Sequence, residues 1–144
     1  MRVDFYQLSS DTAEVAIRKI ATKACEKGER MLVVSADDAQ LMRIDEALWA
    51  VEGSFLAHGP AGGPHQDRQP ILLSDRTDPA NGARLIALAD GVWRDEALGF
   101  DRALLMFDEA TVEAARVTWR GLDTAEGVER AYWRQDGGKW IKAA

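Results

Sequence analysis

The chain has 144 residues, 47% hydrophobic and 29% charged, with a net charge of −6. That balance excludes collagen-like, coiled-coil and disordered classes and predicts one compact domain spanning residues 1–144. A single cysteine, Cys25, rules out an internal disulfide or a thiolate metal cluster, and two histidines leave little for an imidazole site.

No apolar run approaches the ~18 residues a membrane span needs. The opening Met1-Arg2-Val3-Asp4 reads as the start of a strand, not a signal peptide. The expectation is a soluble, cytoplasmic chain. Residues 3–8 (VDFYQL) form a β-rich run. Ser10 or Asp11 then caps a helix over 12–27, with Glu14 placed for a capping box and Val15, Ala16, Ile20, Ala21 and Ala24 at helical spacing. Gly28 ends it. Residues 30–35 (RMLVVS) are apolar almost throughout, as in a strand buried on both faces. Asp37 or Asp38 starts a second helix that carries Leu41, Ile44, Ala47 and Leu48 and runs to Trp49.

Residues 53–69, rich in Gly, Pro, Ala and His, read as a long loop. Residues 70–74 and 84–88 are short strands, 90–99 is irregular, and 100–107 is a fifth strand. A third amphipathic helix covers 109–120, and a last helical piece covers 125–135. Residues 139–142 are left as a tail. Alternating strands and helices with apolar strands predict an α/β fold: a mainly parallel sheet of about five strands with helices on both faces.

A catalytic constellation is not legible. Aspartates at the strand ends, among them Asp37, Asp75 and Asp108, suit either Mg²⁺-dependent phosphoryl or nuclease chemistry or plain helix capping. The glycine fingerprint of a dinucleotide site is absent after the first strand. The Gly59–Pro64 segment lacks a phosphate loop's Lys-Ser/Thr ending, and its two prolines remove amide donors. His58 and His65 lack partners at ligand spacing, and Cys25 sits on a helix face suited to packing. No cofactor, no metal and no catalytic residue is expected.

Two clusters read as binding surfaces. Arg116, Trp119 and Arg120 share one helix face, and paired guanidiniums beside an indole suit a carboxylate-bearing ligand with an apolar group. The competing reading is a helix end with dipole-favoured arginines and a Glu113–Arg116 pair. Trp49, Phe55 and Leu56 either close the core or present a groove for a partner helix. Trp133 and Trp140 read as packing anchors. Residues 116–142 carry a local charge of +2 within a negative chain, so direct nucleic-acid binding is not expected and any anion contact lies late in the sequence.

Several segments are recognisable together. They are Phe5-Tyr6-x-Leu8, Arg30-Met31-Leu32-Val33-Val34, Asp45-Glu46-Ala47-Leu48-Trp49 and Ser54-Phe55-Leu56-Ala57-His58. Further on come Pro70-Ile71-Leu72-Leu73-Ser74, residues 100–107 and Ala115-Arg116-Val117-Thr118-Trp119-Arg120. In this order, over essentially the whole chain, the sequence resembles the chi subunit of bacterial DNA polymerase III holoenzyme. Ala57 stands where the family often has proline, and residues 121–142 diverge from its pattern.

The resemblance implies a Rossmann-like α/β adaptor with no activity of its own. Such an adaptor joins the clamp loader through the psi subunit. It also grips the acidic, Phe-terminated C-terminal tail of single-stranded-DNA-binding protein. It implies Arg116 as the tail-binding cation, Trp119 and Arg120 as its neighbours, and an apolar pocket residue at Leu105. It places the psi-facing or helicase-facing surface at Trp49 and Phe55.

Overall fold

The alternating apolar segments pair edge to edge into one sheet. In the computed structural model, which describes residues 1–50 and 56–144, eight strands and three α-helices are formed among the described residues. They are β1 (Arg2–Gln7), α1 (Ala13–Glu26), β2 (Met31–Val34), α2 (Asp38–Trp49), β3 (His58–Pro60) and β4 (Ile71–Ser74). After these come β5 (Leu85–Leu88), β6 (Arg102–Phe107), α3 (Val112–Gly121), β7 (Glu129–Asp136) and β8 (Lys139–Lys142). The strand order is β3-β4-β2-β5-β6-β1-β7-β8. All neighbours run parallel except β7 and β8, which form an antiparallel hairpin.

The sheet therefore holds eight strands, not about five. The five expected strands are all present. The additions are β3 inside the expected loop, and β7 and β8, where residues 125–135 were expected to be helical and 139–142 a tail. The segment Arg130-Ala131-Tyr132-Trp133-Arg134-Gln135 alternates faces: Ala131 and Gln135 are buried, while Tyr132 packs on the opposite side. That is a period of two with β-favouring aromatics, which helical spacing had masked. Residues 95–99 form a short 3₁₀ turn where an irregular stretch was expected. The Rossmann-like expectation is met only at the coarser level of a mostly parallel α/β sheet.

Helices cover both faces, as expected. Ile17 and Ala21 of α1 and Ile44 and Leu48 of α2 pack on Met31, Val33, Leu104 and Met106. On the other face Ala115 and Leu122 of the α3 region join Phe5, Leu105, Phe107, Ala97 and Phe100. Strands buried on both faces need continuous apolar sequence, and β2 and β6 supply it.

The caps differ in detail from the sequence reading. Asp37 caps α2, accepting from Ala39 N at 3.0 Å. The cap of α1 is Thr12, whose Oγ1 accepts from Val15 N at 3.3 Å, in place of Ser10 or Asp11. Asp11 is held instead by Lys19 at 2.9 Å and by Gln135 Nε2 at 2.8 Å. The Gln135 Oε1 accepts from Ser9 N and Asp11 N, so the end of β7 clips the β1–α1 turn.

One charge lies within this apolar frame. Asp4 in β1 has no exposed surface. Its Oδ1 accepts from Arg2 Nε at 3.1 Å, Arg2 Nη2 at 2.9 Å and Trp133 Nε1 at 2.9 Å, and its Oδ2 from Arg102 Nε at 2.7 Å. Arg2 and Arg102 are register partners on adjacent strands, so Asp4 offsets their repulsion while binding β1, β6 and β7. Asp4→Ala leaves two guanidiniums and an indole N–H without their acceptor. A loss of about 3 kcal/mol is expected in urea unfolding, with a weakened near-UV dichroism from Trp133. A loss below ~1 kcal/mol contradicts this role.

Candidate functional site

The α3 face begins with the turn that launches it. Asp108 Oδ1 accepts from Ala110 N at 2.9 Å and Thr111 N at 3.2 Å, and Thr111 Oγ1 accepts from Asp108 N at 3.0 Å. The helix then lays Ala115 on the sheet and turns Arg116, Val117 and Arg120 outward. Arg116 is half-exposed and donates to Glu113 Oε1 at 2.7 Å, the pair anticipated from the spacing. Arg120 is exposed in the last turn, where the helix dipole favours a cation.

Trp119 is half-buried and faces the sheet, not solvent. It meets Phe5 edge-on at 5.1 Å and Tyr132 edge-on at 5.8 Å. The Arg130 guanidinium lies over its ring, 4.2 Å from the centroid, and also donates to the Trp119 carbonyl and to Asp123. The indole is thus one wall of an aromatic layer of Phe5, Phe107, Trp119 and Tyr132, covered by a cation. Leu105 has no exposed surface; it packs in the same cluster beneath the layer and lines no open pocket.

Sequence reading missed Arg130 and Tyr132. Both stand on β7, the segment expected to be helical, and strand alternation puts them on the α3 side of the sheet. The Tyr132 hydroxyl donates to Gln7 Oε1 at 2.7 Å. Burial pushes this phenol up, and the nearby charge of Arg116 opposes that shift. Arg130 on the Trp119 ring and Arg116 near Tyr132 thus border the aromatic layer, each paired with a carboxylate, Asp123 and Glu113, while Arg120 is exposed one turn beyond Arg116.

The second expected surface is brought together in part. Trp49, the last residue of α2, is 56% exposed and lies 4.6 Å from the His58 ring. His58 is buried, with Nδ1 against the Leu56 carbonyl at 2.6 Å and Nε2 against Asp45 Oδ1 at 2.8 Å. Leu56 closes the core. Met42, two turns before Trp49 on α2, is also exposed. Phe55 lies outside the described residues.

The strand-end aspartates Asp37, Asp75 and Asp108 do not gather at one place. Asp37 caps α2 and Asp108 shapes the α3 turn. Asp90 is held by both Nη atoms of Arg94 at 2.9 Å and by Ala36 N at 2.9 Å. A cavity of about 370 Å³ does open at the carboxyl edge of the sheet, where α/β ligands collect. Asp11, Asp90 and Asp108 line it, while Asp37 and Asp75 do not. No group of three or more His, Cys, Asp or Glu side chains gathers for a metal among the described residues. Cys25 is half-buried and desolvation raises its thiol, which suits packing. Trp133 and Trp119 fall on opposite faces of the sheet, so they form no shared stacking platform for bases.

Fold and surface together define a mostly parallel α/β domain with an exposed pair of arginines on α3 and an exposed indole at the end of α2. Residues 1–129 match the family described as DNA polymerase III chi subunit, HolC. Over 102 residues the chain is 34% identical to DNA polymerase III subunit chi of Escherichia coli (strain K12), covering 55% of this chain and 69% of that protein. The chain belongs to the chi subunit family of DNA polymerase III. Among the described residues no helix is long and apolar enough to cross a membrane.

Two features of the loop after β5 are open to test: the close approach of Gly91 to Thr111 and the ion pair of Asp90 with Arg94. Gly91 has φ +74°, and a Cβ there would come within 2.7 Å of Thr111 Oγ1 and 2.9 Å of Thr111 Cβ. Gly91→Ala is expected to cost about 1–3 kcal/mol in thermal or urea unfolding. Burial alone would raise Asp90, but its bonds from Arg94, Ala36 and Val92 prevail and hold its carboxyl below the ordinary range. A depressed acid contributes stability above its unfolded value, ~3.9, and loses it as pH falls through the folded one. The stability deficit of Asp90→Asn should therefore be full at neutral pH, about 1–2 kcal/mol, and shrink below about pH 4. A deficit that grows on acidification contradicts the sign.

Proposed function

We propose that the chain is a non-catalytic accessory subunit that tethers the polymerase III clamp loader to protein-coated single strands in the cytoplasm. On this reading the α3 face grips the acidic, Phe-terminated tail of single-stranded-DNA-binding protein. The α2 end, with Trp49 and Phe55, meets psi or a helicase partner. The observation that carries it is the exposure of Arg116 and Arg120 on one helix face beside a covered aromatic layer. Tail carboxylates would exchange with Glu113 for the Arg116 guanidinium, a charge-assisted contact. The terminal Phe would lie along Val117 and the Trp119 edge, with Leu105 supporting that layer from inside the core. Arg130 extends the positive field toward the tail's outer carboxylates.

No nucleic-acid contact is needed for this role, which agrees with a net charge of −6. An affinity near micromolar, about −8 kcal/mol, is adequate where several tails are presented together.

Calorimetric titration with the peptide Asp-Asp-Asp-Ile-Pro-Phe tests the reading. Arg116→Ala should weaken binding at the α3 site roughly tenfold to a hundredfold, the loss of one charged hydrogen bond, with the fold intact. Affinity should also fall with salt, because the arginines are exposed. Unchanged binding to the Arg116→Ala protein removes α3 from the tail site.

A further inference from the structure

A second cationic surface lies on the opposite face of the sheet. Between α1 and the β7–β8 hairpin runs a groove of about 570 Å³, within the range of ligand pockets. Its apolar floor is made by Tyr6, Ile20, Ala24, Leu85 and Trp140. Tyr6 and Trp140 meet edge to face at 4.9 Å, and Trp133 stacks behind Tyr6 at 6.3 Å.

The rim is charged. Arg18, Lys19, Lys23, Lys27 and Arg102 stand against Glu26 and Glu29, a surplus of three positive charges on a molecule of net −6. Lys19 is engaged by Asp11 at 2.9 Å, and Arg102 shares buried Asp4 with Arg2. Arg18, Lys23 and Lys27 make no ion pair among the described residues. The C-terminal dipole of α1 accounts for Lys23 and Lys27, but Arg18 lies too far from that end.

We propose that this groove is a second docking site for an acidic peptide stretch of a partner protein, one that seats an apolar side chain between Ile20 and Trp140. Arg18 and Lys23 meet its carboxylates. Charge complementarity selects an acidic partner, because the groove is a local positive field in a negative protein. The floor selects a peptide over a nucleic acid. Tyr6 and Trp140 are turned edge to face on one another and offer no parallel stack for bases, while Glu26 and Glu29 interrupt the rim that a continuous phosphate backbone would follow.

Calorimetry with Asp-Asp-Asp-Ile-Pro-Phe as probe, on full-length wild type, Arg116→Ala, the pair Arg18→Glu/Lys23→Glu and the triple variant, separates this from the α3 reading. Two sites are expected on wild type and one on each of the first two variants. The groove site should weaken about tenfold or more in the charge-reversed pair. Trp140→Phe should remove the fluorescence change that accompanies filling of the groove, and thermal melts confirm that each variant folds. Peptide binding by the Arg18→Glu/Lys23→Glu protein that matches wild type overturns the groove, whatever Arg116→Ala does. Binding abolished by the pair but unaffected by Arg116→Ala keeps the groove and discards the α3 site. Tighter groove binding of an oligo-dT strand than of the peptide overturns the peptide assignment.

Discussion

A single buried carboxylate decides how the two ends of this chain meet. Asp4 lies in β1, between β6 and β7, and accepts from one residue of each: Arg102 and Trp133. Without it, register would set Arg2 opposite Arg102 with nothing between them, and the Trp133 indole N–H would be desolvated without an acceptor. With it, β7 is tied to β1 by a side-chain bond as well as by the backbone ladder. Gln135 adds a polar clip two residues further on, bonding Ser9 and Asp11 at the start of the α1 turn. Both proposed surfaces depend on this: Arg130 and Tyr132 border α3, and Trp140 floors the opposite groove.

Hydrophobic pattern made much of the architecture legible. Runs such as Met31–Val34 and Leu85–Leu88 have the length and continuity of strands buried on both faces, and α1 and α2 show clear helical spacing. The C-terminal segment misled because Ala131, Arg134 and Gln135 also fit a helix-like spacing, and only sheet pairing decides between the two periods. β7 gains its identity from β1, over 120 residues away. A contact of that separation leaves no local mark. β3 is similar: three residues of a Gly/Pro loop become a strand only because β4 offers them an edge.

The candidate site was legible as residues but not as a surface. Spacing grouped Arg116, Trp119 and Arg120 correctly on α3. It could not say that the indole turns inward onto Phe5 and Tyr132 while the two arginines stay outside. Amphipathic logic explains it afterwards: Ala115, Trp119 and Leu122 are the apolar stripe, so Trp119 belongs to the packing side of the helix. Arg130 was invisible for the same reason as β7. The cationic groove was hidden by the averaging of charge along the sequence, since α1 carries Arg18, Lys19 and Lys23 against Glu14 and Glu26, an excess of only one until it is folded against Arg102.

The arrangement has a consequence for how such a module works. The α3 layer packs on the face that holds Phe5, Leu105 and Phe107, while α1 and α2 cover the face that holds Leu104 and Met106. Under the proposed function, a tail on α3 and a partner at Trp49 are separated by the thickness of the sheet, so neither excludes the other sterically. The strands between them are fully buried over most of their length and close-packed, with little freedom to shift between two arrangements. Coupling between distant sites requires an element with two states, and this sheet offers none among its central strands. The physical expectation is independent occupancy: a rigid spacer that brings two partners together by simultaneous attachment, with effective concentration and not allosteric signalling as its mode of action.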